Sequence, residues 1–233
     1  MSCTGTSRKG QPCRSSMSAA PIIFEELIAG SGKLVRVTLN VAATLNSLTL
    51  EMVDQLQAKL DLWRDDPSIA AIFLEGAGEK AFCAGGDVQA LYDSVLANPG
   101  GPREYAENFF LREYRLDYSL HTYPKPIICW GHGIVMGGGL GVMAGCSHRV
   151  VTEKTRIAMP EVTIALFPDV GGSWFLNHMP GRSGQFLALT GASINAADAL
   201  YTGIADRFIS SEHKDEILEK LLRRDWNAEA QDN

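Results

Sequence analysis

Three consecutive glycines, Gly137 to Gly139, follow the apolar run Pro126 to Trp130 and open a segment that reads as a helix. A second glycine pair, Gly85-Gly86, lies within Ala81-Phe-Cys-Ala-Gly-Gly-Asp87 and follows another apolar run. A residue without a Cβ lets the backbone approach a ligand closely, and a helix N-terminus adds partial positive charge. Two distant segments can thus offer an N–H each to one oxygen, which is how an oxyanion hole is built. Pro160-Glu161 and Pro168-Asp169, downstream, bring two carboxylates toward the same place. A glycine run alone would read as a turn or tight helix packing. The pairing points instead to acyl-transfer or enolate chemistry.

The order of elements predicts an α/β fold. Leu34 to Leu39 alternates as a strand, and Ser47 to Trp63 carries Leu48, Met52, Val53, Leu56, Leu60 and Trp63 at helical spacing, with Ser47 in the cap region. Ile69 to Leu74 reads as a buried strand, and Asp87 caps a helix running to Leu96. A long helix from Arg103 to His121 precedes a central strand, Ile127 to Gly131. Next come a strand at His148 to Thr152, an extended piece at Arg156 to Met159, and short helices near Ser173 to His178, Gly184 to Thr190 and Ala196 to Tyr201. A last helix is expected over Ser211 to Trp226. Such folds carry their sites on loops leaving strand ends. Three regions are expected: a disordered segment over 1–20, a catalytic core over 21–210, and a C-terminal helix within 211–233. Residues 1–20 hold no acidic side chain. They fit either a weakly transit-type leader or an over-extended start with Met17 as initiator, the second being favoured.

Several function classes are disfavoured. The formal net charge of −6 argues against a nucleic-acid partner, and the basic cluster Lys220 to Arg224 reads as the solvated end of a helix. No apolar stretch reaches the ~20 residues needed to cross a bilayer. Cysteines at 3, 13, 83, 129 and 146 form no C-x-x-C pair, so neither a metal site nor a disulfide framework is signalled, and a reducing compartment is expected. No G-x-S-x-G elbow occurs, and Met136 breaks a dinucleotide G-x-G-x-x-G. His132 reads as a buried structural histidine and Cys83 as a small apolar group.

Ala81-Phe-Cys-Ala-Gly-Gly-Asp87, Lys125-Pro-Ile-Ile, Gly131-His-Gly-Ile-Val-Met-Gly-Gly-Gly139 and Met159-Pro-Glu161 together resemble the crotonase (enoyl-CoA hydratase/isomerase) superfamily. Phe109-Phe110 with Glu113-Tyr114, the stretch Met159 to Gly172, and Phe186-Leu-Ala-Leu-Thr-Gly191 are similar to its 3-hydroxyisobutyryl-CoA hydrolase branch. The resemblance implies a spiral of ββα units, with the C-terminal helical region shortened or missing. It implies an acyl-CoA substrate, with coenzyme A as part of that substrate and no separate cofactor, metal, membrane or nucleic-acid partner; homo-oligomerisation stays open. By the same resemblance, the amides of Gly86 and Gly138 hold the thioester oxygen and Glu161 activates water or attacks the carbonyl. Asp169 with Glu113 then binds the acyl 3-hydroxyl, although Glu113, flanked by Arg112 and Arg115, also suits a surface salt bridge. Gly141 occupies the position where the hydratases carry a second glutamate. Asn40-Val-Ala-Ala43 departs from the family pattern, which puts coenzyme A contacts there in question. Three readings stand: a thioesterase of valine breakdown, an enoyl-CoA hydratase or isomerase in which Asp169 replaces the missing carboxylate, and a non-catalytic binding or assembly subunit. The expected compartment is the cytosol in a bacterium and the mitochondrial matrix in a eukaryote.

Overall fold

A computed structural model of the chain describes residues 19–226. The expected disordered segment 1–20 lies outside these residues apart from Ala19 and Ala20, as do residues 227–233. The architecture is mixed α/β. Nine strands are β1 (Ile22–Ala29), β2 (Gly32–Leu39), β3 (Ile69–Gly76), β4 (Ala81–Cys83), β5 (Ile127–Gly131), β6 (Ile134–Met136), β7 (His148–Val151), β8 (Arg156–Ala158) and β9 (Arg207–Phe208) among the described residues. The helices are α1 (Leu50–Arg64), α2 (Val88–Ala97), α3 (Glu104–His121), α4 (Gly138–Gly145), α5 (Gly172–Phe175), α6 (Ser183–Thr190), α7 (Ala196–Tyr201) and α8 (Lys214–Arg223).

Six strands form one sheet in the order β1-β2-β3-β5-β7-β9, parallel except for the β1–β2 hairpin. The second sheet is small and wholly parallel, in the order β4-β6-β8. β3 and β5 are buried along nearly their whole length, as central strands covered on both faces must be. β1 was hidden in the sequence because its interior positions are mostly exposed or half-buried, so it carries little apolar alternation. It is placed by pairing: Phe24 lies opposite Val37 and packs edge-on against Trp63, with ring centroids 5.7 Å apart.

Two expected boundaries move. α1 begins at Leu50 rather than Ser47, because the Thr49 hydroxyl accepts the Met52 amide at 3.2 Å while Ser47 turns back to the Thr44 carbonyl. The final helix is shorter than 211–226, since Ser211–His213 form a 3-10 turn before α8. α8 lies against the large sheet: Leu218, Leu221, Leu222 and Trp226 pack on Leu34, Phe73 and Trp130, and the Gly30 amide donates to the Leu222 carbonyl at 2.9 Å. The buried Glu75 carboxylate of β3 takes Arg36 at 2.6 Å and Lys214 at 2.8 Å, tying α8 across that face. The basic pair near the helix end is neutralised within it, Lys220 by Glu216 and Arg223 by Glu219.

The loop after β2 is locked by Asn46. Its side-chain oxygen accepts the Val41 amide at 2.9 Å, and its nitrogen donates to the carbonyls of Ala77 at 3.0 Å and Ala81 at 2.9 Å. Asn46 is fully buried with φ of 56°, a left-handed conformation that asparagine tolerates better than most residues. Asn46→Ala leaves the half-buried Val41 amide and two carbonyls without these partners, so it should cost ~3 kcal/mol of stability, read by denaturant unfolding.

Candidate active site

The β4-β6-β8 sheet sets the geometry. Parallel strands end on the same side, and site residues leave those ends. β4 runs into Ala84-Gly85-Gly86, β6 into Gly137-Gly138, and β8 into Met159-Pro160-Glu161. Three segments separated by dozens of residues are therefore delivered to one place.

Gly86 is oriented by a short parallel bridge to Leu48: the Leu48 amide donates to the Gly85 carbonyl at 2.8 Å and the Asp87 amide to the Leu48 carbonyl at 2.9 Å. In a parallel bridge the middle residue directs its own N–H away from the partner segment. The Gly86 amide accordingly donates to no carbonyl among the described residues. Gly137, at φ 51° and ψ −126°, turns the chain from β6 into α4 and anchors on the Ala158 carbonyl. Gly138 is the first residue of α4, where amides lack an intrahelical acceptor. A Cβ on Gly138 would lie 3.4 Å from the Gly86 nitrogen and collide with Glu113 Oε1. One on Gly137 would lie 3.0 Å from Glu161 Oε1. Glycines here make room for two carboxylates and for whatever those amides bind.

Four acids gather around this point, and all are buried: Glu113, Asp117, Glu161 and Asp169. No lysine or arginine pairs with them among the described residues; Arg112 instead pairs with Asp54 at 2.6 Å on the surface. Glu113 therefore faces inward rather than forming the alternative surface salt bridge. Burial, then the charges of Asp169 and Glu161, pushes Glu113 up to about 8. Burial pushes Glu161 up to about 7, with Asp169 adding to it against a pull downward from the residue's own backbone. Glu113 Oε1 and Glu161 Oε2 are enclosed without a hydrogen-bond partner. Asp169 Oδ2 accepts the Tyr114 hydroxyl at 2.7 Å, and burial with this bond drives that phenol upward.

Tyr114 and Asp117 were not singled out as site residues in the sequence. Asp117 follows Glu113 by four residues, the spacing that puts two side chains on one helix face, so the signal was present. His132 is buried, with Nε2 within 2.9 Å of the Gly78 carbonyl, and burial lowers it. Cys83 is enclosed, its thiol pushed up to about 12, and it packs as a small apolar group.

Gly141 has no space for a side chain, because a Cβ there would run into Val170 Cβ and lie 2.8 Å from its Cγ2. Val170 itself adopts φ of 43°, a strained conformation for a β-branched residue, immediately after Asp169. Beside this contact lies a cavity of ≈ 520 Å³, whose wall includes Tyr114, Asp117, Asp169, Gly141, Phe167 and Trp174. Among the described residues no three His, Cys, Asp or Glu side chains are grouped to hold a metal ion, and no helix is long and apolar enough to cross a membrane.

Comparison with known proteins gives the same class. Residues 34–233 match the enoyl-CoA hydratase/isomerase family, and the chain belongs to that family. It is 41% identical over 210 residues to the mitochondrial 3-hydroxyisobutyryl-CoA hydrolase of Gallus gallus, covering 90% of this chain and 52% of the relative. The Homo sapiens protein of that name is 42% identical over 85% of this chain and 50% of its own length. The chain thus spans about half the length of these curated relatives. Among solved structures, an enoyl-CoA hydratase from Rhodobacter sphaeroides superposes with a TM-score of 0.80 at 36% identity, over 87% of this chain and 58% of the other. A carnitinyl-CoA dehydratase from Mycobacterium thermoresistibile gives 0.80 at 41% identity, over 88% and 58%. The fold is that of the crotonase superfamily.

The buried acids make stability depend on pH. Glu113 and Glu161 are raised in the folded chain, so the unfolded chain ionises first; their contribution is complete below the unfolded value near 4.5 and is lost as pH climbs through about 7 to 8. The melting temperature should fall between pH ~5.5 and ~8.5, and Glu113→Gln should flatten that fall, as followed by scanning calorimetry.

Proposed function

We propose that the chain hydrolyses a 3-hydroxyacyl-CoA thioester, with 3-hydroxyisobutyryl-CoA, an intermediate of valine breakdown, as the leading substrate. The observation that carries this reading is that Glu161 Oε1 lies 3.0 Å from where a Cβ on Gly137 would stand, while a Cβ on the next residue, Gly138, would lie 3.4 Å from the Gly86 nitrogen. The names of the hydrolase relatives point the same way.

In the proposed reaction Glu161 takes a proton from water as the water oxygen bonds to the thioester carbon. The carbonyl electrons move onto oxygen, where the amides of Gly86 and Gly138 and the N-terminus of α4 stabilise the charge. Collapse of that intermediate breaks the C–S bond, and the proton held by Glu161 passes to the departing sulfur, giving the free acid and coenzyme A. A carboxyl raised to about 7 suits this duty, since it is basic enough to take a proton and still ionises near neutral pH. Asp169 uses Oδ2 for Tyr114, which leaves Oδ1 for the acyl 3-hydroxyl. Glu113, protonated near neutrality, adds a second partner for that hydroxyl. Such a site rejects acyl groups lacking the hydroxyl because its buried polar atoms would then go unpaired. The filled space at Gly141 favours hydrolysis over hydration, which calls for a second carboxylate there. The place of work follows the source: the mitochondrial matrix in a eukaryote, in line with relatives whose names say mitochondrial, and the cytosol in a bacterium.

Release of free thiol from 3-hydroxyisobutyryl-CoA by the whole chain tests this reading. Turnover should rise as pH increases through about 7, and Glu161→Gln should lower it by ~10³-fold with the fold retained. Tight binding of the ester without thiol release would select the non-catalytic reading, and hydration of crotonyl-CoA in its place would select the hydratase.

A further inference from the structure

The turn that presents Asp169 holds two successive left-handed residues, Val170 at φ 43° and Gly171 at φ 82°, and is closed by the Gly172 amide on the Asp169 carbonyl at 2.6 Å. Glycine adopts that conformation at no steric cost, whereas a β-branched residue does so only where its surroundings dictate it. On the backbone side the support is α4: Val170 is buried and fills the space over Gly141. On the side-chain side the forces oppose one another. The charge of Asp169 bears on Glu113, Asp117 and Glu161, so repulsion favours a carboxylate turned away from them. Against it stands a single side-chain donor among the described residues, the Tyr114 hydroxyl at 2.7 Å from Oδ2. Asp169 Oδ1 has no partner and is not sealed off, unlike Glu113 Oε1, Glu161 Oε2 and both oxygens of Asp117.

We propose that Tyr114 is a positioning residue: its hydroxyl, acting only through Asp169, fixes which carboxylate oxygen meets the acyl 3-hydroxyl and thereby sets the preference of the site for hydroxylated acyl groups. This rests on the hydrolase reading above and traces its selectivity to a group away from the reacting atoms. Without the phenol, the carboxylate is free to rotate about its Cβ–Cγ bond and to move off from its acidic neighbours. The substrate hydroxyl then meets a partner that must be ordered on binding rather than one held in advance. The phenol remains a donor because burial, with its bond to Asp169, raises it above its ordinary value.

Tyr114→Phe keeps the ring in the cavity wall and removes only the donor. The quantity to measure is the ratio of kcat/KM for 3-hydroxyisobutyryl-CoA to that for isobutyryl-CoA, two esters that differ by the hydroxyl alone. It should be ~10²-fold or more in the unaltered chain and fall by ~10-fold in Tyr114→Phe. In an Asp169→Ala background, adding Tyr114→Phe should change it by less than ~2-fold, since the route of action is gone. A tyrosine that merely packs would lower turnover of both esters alike and leave the ratio unmoved, which overturns the proposal. A ratio near one in the unaltered chain, or a fall as large without Asp169 as with it, overturns it equally. Where Asp169→Ala does not fold, the ratio in Tyr114→Phe decides by itself. If neither ester releases thiol, the hydrolase reading falls, and calorimetric affinities of the same two esters take the place of the rates. A preference for the hydroxylated ester that shrinks in Tyr114→Phe then supports the positioning role, and a preference that is absent or unmoved sinks it.

Discussion

Everything at this site depends on three short strands lying parallel. β4, β6 and β8 contribute only three residues each, yet their common direction places the glycine pair, the start of α4 and Glu161 at one end of one small sheet. Such short strands need support from outside. It comes from the Leu48 bridge, which holds the Gly86 segment, and from Asn46, which ties the loop before β4 and the first residue of β4 to the loop after β2. The large sheet and α8 provide the rigid body to which this unit is attached, with Glu75 shared between β2, β3 and α8.

The second theme is electrostatic. Burying Glu113, Asp117, Glu161 and Asp169 together, with no basic side chain paired to them among the described residues, disfavours ionisation at every one of these positions where a shift is resolved. Close approach of like charges in a poorly solvated space then separates their titrations. That is how a fold can keep one carboxyl as a base and a neighbour as a hydrogen-bond donor at the same pH. The folded state pays in stability for holding these groups ready, a pattern expected where function competes with packing.

Much of this was legible in the residues. Helical spacing placed α1 and α3, apolar runs placed β3 and β5, and the Asp87 cap placed the start of α2, where its carboxylate accepts the Ala90 amide at 3.0 Å. Local chemistry spoke clearly in those cases. β1 and β9 did not, because short or half-exposed edge strands are defined by the neighbour they pair with rather than by their own pattern. At the site, the glycine runs and Glu161 were visible as motifs. The inward orientation of Glu113, the role of Tyr114 as partner of Asp169, and the enclosure of Asp117 all depend on how α3 packs against α4, a tertiary fact that the residues of one helix do not carry.

The contact between Gly141 and Val170 has a consequence for how activities can diverge within this family. A carboxylate at 141 and the backbone turn that presents Asp169 compete for the same few cubic ångströms, because Val170 is forced into that space by its positive φ. The two positions are therefore sterically coupled. A side chain at 141 finds room only if the segment around 170 moves away, and moving it displaces the turn that presents Asp169.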